Sequence, residues 1–191
     1  VSLFNRYDKI LSKNGVILYN LSYSSENTDG MWITIGEVIS KTKFTIADTI
    51  IWKKKSAIPN NRSKNKLTRI VEYIFVFVRK EELKTFNANK KVVSRIEKTG
   101  QANYENVYNF IEAKNNDGPC KLNKATYSSE LIEQLLNIYA NENSIVFDSF
   151  MGTGTTAVAC QNLGIRCVGS ELSKDQWIYS INRLKNNKNN T

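Results

Sequence analysis

Apolar side chains recur at helical spacing over Met31, Ile35, Val38 and Ile39, which predicts a helix from Gly30 to about Lys41. Upstream, Leu3, Tyr7, Ile10 and Leu11 share one side of a helical stretch within Val1 to Leu11. Ser12-Lys13-Asn14-Gly15 then reads as a turn, and Val16 to Leu21 as a short buried strand. Phe44 to Lys54 and Arg69 to Arg79 are rich in Ile, Val, Phe, Tyr and Trp, the composition of strands. They are expected to pair antiparallel at a sheet edge, across a basic, Asn-rich loop from Lys55 to Thr68. Glu81 to Leu122 is polar and weakly helical, with a turn at Asp117-Gly118-Pro119, and reads as an insertion or small subdomain. Periodicity then sharpens. Ser128-Ser129-Glu130 opens a helix bearing Leu131, Ile132, Leu135, Leu136 and Tyr139. Strands are predicted at Ser144–Phe147 and Arg166–Gly169, and helices at Thr155–Asn162 and Lys174–Leu184. The last third is therefore α–β–α–β–α, an alternation that argues an α/β, doubly wound, mostly parallel sheet.

The chain of 191 residues suits one domain, or one with a small insertion, and 41% apolar residues are enough to bury a core. Charge changes the picture more. Lys53 to Lys98 carries 14 basic and 4 acidic side chains, a net +10, whereas the remainder holds 13 basic and 14 acidic. A basic module in a near-neutral chain suggests a polyanion such as nucleic acid, with a solvated lysine-rich face as the alternative. The absence of histidine excludes Ser-His-Asp triads and His-ligated metals, so no metal site is expected. Cys120, Cys160 and Cys167 show no CxxC spacing and point to a reducing, cytoplasmic compartment. The longest apolar-aromatic run, Tyr73 to Val78, is too short to span a bilayer, and no membrane partner is expected.

The candidate chemistry lies at Asp148-Ser-Phe150-Met-Gly152-Thr-Gly154-Thr155-Thr156-Ala157, where a strand passes through a glycine turn into a helix. Glycine permits close backbone approach, and the first amides of the helix face outward as donors to a nucleotide-like ligand. Glu171 ends the next strand, 23 residues after Asp148, where a carboxylate can take both ribose hydroxyls of an adenosine moiety. Gly152-x-Gly154-x-x-Ala157 also satisfies the looser dinucleotide fingerprint, which keeps an NAD-dependent oxidoreductase as a competitor. Chain order disfavours it, because only one strand and one helix follow the first βα unit and the other strands must come from upstream.

Asp148-Ser-Phe150-Met-Gly152-Thr-Gly154-Thr-Thr156 resembles the S-adenosylmethionine loop of bacterial exocyclic-amino DNA methyltransferases, usually Asp-Pro-Phe-x-Gly-x-Gly-Thr-Thr. Val168-Gly169-Ser-Glu171-Leu-Ser resembles that family's ribose-binding strand end. Asn123-Lys124-Ala125-Thr126-Tyr127-Ser-Ser-Glu130-Leu131 is similar to its His-Pro-Ala-x-Phe-Pro-x-x-Leu segment, and Leu67-Thr68-Arg69-Ile-Val-Glu72-Tyr73-Ile74-Phe75 to its Arg-x-x-His-Glu-x-Ile strand. The resemblance spans nearly the whole chain, in the permuted order that puts the cofactor half last. It implies a Rossmann-like sheet and methyl transfer from S-adenosylmethionine to adenine N6 or cytosine N4 in double-stranded DNA, as in restriction-modification. It also implies that Asp148, Gly152, Gly154, Thr155 and Thr156 hold the methionine end, with Lys124, Ala125 and Thr126 lining it. By the same resemblance Phe150 would pack on the adenine ring and Glu171 would hold the ribose. Lys53, Lys54, Lys55, Arg62, Lys64, Lys66 and Arg69 would track DNA phosphates.

The division expected on this basis is residues 1–80 for the catalytic half, 81–122 for target recognition, 123–185 for the cofactor half and 186–191 for a disordered tail. Ser149 replaces the family's loop proline, and Asn123-Lys124 its His-Pro. The family's catalytic tetrapeptide, Asp, Asn or Ser before Pro-Pro and an aromatic, has no match, since the chain contains no Pro-Pro. Asn20-Leu-Ser-Tyr23 is the nearest approach and reads as the end of a structural strand. No catalytic residue is therefore assigned, the upstream part that would carry the motif is expected to lie outside this sequence, and the chain alone is expected to be inactive. A non-catalytic subunit that binds cofactor or DNA beside a partner is the alternative, and a homodimer or a methylation-system partner is compatible with either reading.

Overall fold

The computed structural model describes residues 1–24 and 27–188, with side chains through Asn187. Contacts divide the chain into two compact units: Val1–Lys53, Pro59–Asn87 and Val107–Ile111 form one, and Lys54–Ile58, Ala88–Asn106 and Glu112–Thr191 the other.

The first unit runs α1 (Ser2–Tyr7), β1 (Ile17–Leu21), α2 (Gly30–Lys41), β2 (Phe44–Lys54) and β3 (Val71–Arg79), followed by a 3₁₀ turn at Lys80–Glu82. β3 pairs antiparallel with β1, Tyr19 opposite Phe75, and with β2, Ile50 opposite Ile74. A register shift between Ile46 and Asp48 leaves Ala47 as the extra residue of a bulge. The strand that opposes its neighbours is thus β3, and it lies between β1 and β2 rather than at the expected sheet edge. Burial explains the correction. Ile74, Phe75, Val76, Phe77 and Val78 are all buried, so both faces of β3 need cover and both of its hydrogen-bonding edges are used. Met31, Ile35 and Val38 of α2, Phe4 of α1 and Phe44, Phe75 and Phe77 form the core on one face. The Phe4 ring stands edge-to-face on Phe77, Tyr19 and Phe44 at centroid distances of 4.9, 5.4 and 5.6 Å, the geometry that aromatic quadrupoles favour. Arg79 ties α1 to the sheet. Its Nε donates to Asp8 Oδ1 at 2.6 Å and its Nη2 to the Asp8 and Leu11 carbonyls. That hydrogen bond, with one from Lys43, holds the Asp8 carboxyl below its usual range.

In the second unit, β4 (Val92–Arg95) and β5 (Ala102–Tyr104) form a small antiparallel pair. β6 (Phe110–Ala113) starts in the first unit, where its edge joins β2 in the order β1-β3-β2-β6, and ends in the second. The stretch from Glu81 to Leu122 is therefore organised by short strands, not the weak helices expected. α3 (Ser129–Tyr139) begins at the predicted cap, with Leu131 N donating to Ser128 Oγ, a contact worth about 1 kcal/mol. β7 (Ile145–Asp148), α4 (Thr155–Asn162) and β8 (Arg166–Gly169) form a βαβ unit whose strands pair parallel, Asp148 opposite Gly169. Leu136, Ala140, Ala159, Cys160 and Ile165 make its core, against which Val146 and Cys167 pack. α5 (Lys174–Lys188) continues past the predicted end. Asn186 and Asn187 are helical, and Asn187 Nδ2 donates to Gln161 Oε1 and Asn162 Oδ1, so these two do not belong to a disordered tail. The tail residues 189–191 lie outside the described residues.

Candidate functional site

The C-terminal end of β7 places Asp148 at the start of the glycine turn. Its Oδ1 accepts from Phe150 N at 2.9 Å. Its Oδ2 accepts from Thr156 Oγ1 at 2.6 Å and from the Tyr127 hydroxyl at 3.3 Å. The Tyr127 hydroxyl also lies 2.9 Å from Thr156 Oγ1. Burial, then the neighbouring Asp148 charge, pushes the Tyr127 hydroxyl above its ordinary range, so it remains protonated and able to donate. Both carboxylate oxygens thereby take part in shaping the turn.

The turn then crosses to β8 and doubles back. Ser170 N donates to Asp148 O and Met151 N to Ser170 O, each at 3.0 Å. Gly152 and Gly154 adopt φ of +54° and +85°, the left-handed region that glycine enters without strain. Space also demands glycine at 154, because an added Cβ would lie 2.7 Å from Ser180 Cβ on α5. Glu171, just beyond β8, reaches back into the turn. Its Oε2 accepts from Gly152 N at 2.7 Å and its Oε1 from Ser173 N at 2.8 Å. A carboxylate oxygen accepts more than one hydrogen bond, so Glu171 is oriented by the backbone and retains acceptor capacity for a ligand. Phe150 is 71% exposed and is no part of the core.

The residues predicted from sequence do not all meet at one place. Asp148, Phe150, Gly152, Gly154 and Glu171 come together on the turn. Thr155 and Thr156 stand behind it, buried, with their hydroxyls turned inward to Arg183 and Asp148. Lys124 and Ala125 are exposed, in a bend held by Ala125 N donating to Asn123 Oδ1. Asn123 Nδ2 also donates to Gln176 Oε1, and both amides lie within 3.5 Å of where a Gly152 Cβ would stand. Thr126 lines a cavity of about 260 Å³ with Tyr127, Thr153, Thr155, Tyr179 and Arg183. Sequence reasoning quoted Tyr127 within a motif but gave it no role, and it missed Gln176, Ser180 and Arg183. The last three recur at intervals of four and three along α5, a polar stripe facing the turn that a search for apolar periodicity passes over.

Residues 1–181 match the model of a family described as DNA methylase (N6_N4_Mtase). The chain belongs to the DNA methylase family. It is 28% identical over 171 residues to the orphan methyltransferase M.BamHII of Bacillus amyloliquefaciens, covering 75% of this chain and 63% of that protein. To the type II methyltransferase M.Cfr9I of Citrobacter freundii it is 29% identical over 141 residues, covering 74% and 45%. The chain therefore spans less than two thirds of the length of these curated relatives. Among solved structures, the M1.HpyAVI–SAM complex superposes with a TM-score of 0.71 at 23% identity, over 96% of this chain and 80% of the other. The cytosine-N4-specific PvuII DNA methyltransferase does so with 0.72 at 14%, over 95% and 69%. These likenesses establish the family's mixed α/β fold for this member.

The basic residues of this methylase chain do not form one class. Arg69 Nη1 donates to Tyr23 O, and its guanidinium lies 4.8 Å from the Tyr23 ring centroid. Lys55 pairs with Glu130 at 2.9 Å. Lys53 and Lys54 are half-buried, whereas Arg62, Lys64 and Lys66 are exposed on the loop before β3. Asn20 is a strand residue opposite Ile74, and its Nδ2 donates to Tyr73 O. Among the described residues no cluster of three or more His, Cys, Asp or Glu could hold a metal, and no helix is long and apolar enough to cross a membrane.

Proposed function

We propose that this chain serves a DNA methyltransferase that moves a methyl group from S-adenosylmethionine to adenine N6 or cytosine N4 of double-stranded DNA, on a doubly wound, Rossmann-like fold. The observation that carries the reading is the glycine turn closed by the Glu171 carboxylate on the Gly152 amide. It is supported by the parallel β7–α4–β8 unit and by family membership. The donor set suits an adenosine bearing a charged amino-acid tail. Glu171 accepts from the ribose hydroxyls, the exposed Phe150 ring offers a stacking face, and Asp148 with the Gly152–Gly154 turn receives the methionine end. Thr155 and Thr156 hold the turn from behind, and Lys124, Ala125 and Thr126 border it. Bound S-adenosylmethionine would supply an electrophilic sulfonium methyl. The chain's own residues bind and orient, and none of them is assigned to the amino group that accepts the methyl.

DNA phosphates are met by the basic stretch, chiefly by Arg62, Lys64 and Lys66, and secondarily by Lys53, Lys54, Lys55 and Arg69. Salt-sensitive attraction of this kind positions a duplex without reading its sequence. Residues 81–122 take the place of target recognition between the strand-rich and cofactor-binding parts.

The test is titration calorimetry with S-adenosylmethionine and, in parallel, NAD. Glu171→Ala should weaken S-adenosylmethionine by about 1–3 kcal/mol, the scale of hydrogen bonds to a charged group. Equal affinity in wild type and variant, or tight binding of NAD, would overturn the reading.

A further inference from the structure

The polar stripe of α5 ends on a side chain that grips the glycine turn at residues other than the one Glu171 holds. Arg183 Nη1 donates to Thr153 O at 3.4 Å and to Thr155 Oγ1 at 3.0 Å. These two groups flank Gly154, the residue with φ of +85°. Arg183 Nη2 donates to Asp117 Oδ2. Asp117 is itself fixed, since Oδ1 and Oδ2 accept from Ser129 N at 2.9 and 3.0 Å and Oδ1 also accepts from Ser129 Oγ at 3.2 Å. Through the Asp117 carboxylate, a planar guanidinium thus links the first residue of α3 to the two residues around Gly154, with Thr153 and Thr155 themselves buried. The fork geometry matters because one side chain must reach a carbonyl, a hydroxyl and a carboxylate at once, which an ammonium cannot do with fixed directions.

We propose that Arg183 is a positioning residue for cofactor binding: it holds Thr153 and Thr155 on either side of Gly154, so that the turn keeps the shape that receives the methionine end of the ligand. It need not touch the ligand. The inference rests on the reading of the turn as an S-adenosylmethionine site and adds the residue that sets its shape. An arginine present only for overall stability would affect all ligands of the unit alike. One that shapes the methionine end affects that end selectively, leaving the adenosine contacts at Phe150 and Glu171 in place.

The experiment measures the affinity of the full chain for S-adenosylmethionine and for adenosine by calorimetry, with folding followed by circular dichroism. The proteins are wild type, Glu171→Ala, Arg183→Lys, Thr155→Val and the Arg183→Lys/Thr155→Val pair. Arg183→Lys keeps the charge and loses the fork, and Thr155→Val removes the hydroxyl while keeping the shape. Either single change should weaken S-adenosylmethionine about tenfold, the scale of one charge-assisted hydrogen bond, and adenosine by less than about threefold. The pair should bind no more weakly than the weaker single variant, because both changes break the same link. Equal losses for the two ligands, wild-type affinity in Arg183→Lys, or additive effects in the pair would each overturn the proposal. If wild type binds no S-adenosylmethionine, or if Glu171→Ala binds it as wild type does, the site reading fails and this inference falls with it. Wild-type binding that is sensitive at Glu171 and insensitive at Arg183 defeats the inference alone.

Discussion

The region around Phe77 and the region around Gly154 are both well buried, yet they are built from opposite materials. Phe77 sits among Phe4, Tyr19, Phe44 and Phe75, and its surroundings contribute through area removed from water and ring geometry. Gly154 sits among Thr153, Thr155, Ser180 and Arg183, where nearly every neighbour is polar and has a named partner. Apolar packing tolerates substitutions of similar volume, whereas a hydrogen-bonded frame fixes directions and loses them when one member goes. The contrast teaches that stability and the shape of the candidate site reside in different side chains. Mutations should be able to separate them.

The largest effect is expected at the aromatic core. Phe77→Ala should destabilise the chain by about 3–5 kcal/mol, read from its denaturant midpoint, because both the transfer of the ring and the cavity left behind count against folding. Under conditions where that variant is folded, its affinity for S-adenosylmethionine should equal wild type; a large loss would mean that the two regions are energetically one. A smaller effect is expected behind the turn. Tyr127→Phe removes one donor from Asp148 and should cost about 1 kcal/mol of stability, with a loss of S-adenosylmethionine affinity that Phe77→Ala does not show. Unchanged affinity would put Tyr127 with the packing residues. The smallest change in stability is expected on the surface. Neutralising Arg62, Lys64 and Lys66 together should leave the melting transition in place but flatten the salt dependence of duplex binding, since each lost phosphate contact removes about 0.9 from the log–log slope. A slope that stays the same would show these three to be an ordinary solvated face.

The same contrast decides what could be read without a structure. The bounds of α2 and β2 and the Ser128 cap of α3 were legible because an apolar face or a capping residue is a local signal. The glycine turn and Glu171 were legible for the same reason, each being marked by residue types that the geometry requires. The strands β4 and β5 were not. They are four and three residues long, and Val92–Arg95 is exposed throughout, so no period of two separates an inner from an outer face. Arg183 was invisible as well. Its partners are Asp117, Thr153 and Thr155, 66, 30 and 28 residues away in the chain, and a polar residue facing inward looks, in sequence, like one facing water. The net charge of Lys53 to Lys98 overstates the free charge in the complementary way. It counts Arg79 and Lys80, which serve the fold through Asp8 and through the carbonyls of Ile39 and Thr42.

The place of β3 between β1 and β2 imposes an order of events on folding. β1 and β2 do not pair with each other, and each finds a strand partner in β3, which is last of the three in the chain. As the polypeptide is made, the residues of β1, α2 and β2 emerge without the strand that joins β1 to β2, and these three strands can pair only after Arg79 has left the ribosome. β2 and β3 are joined by the shorter connection, so their pairing closes the smaller loop. β1 must then return across α2 and β2 to the far edge of β3, joining Asn20 to Ile74 over more than fifty residues. Contacts of such sequence separation slow the approach to the native state. Until that step is taken, one backbone edge of β3, the most apolar strand of the unit, stands open to any other extended chain.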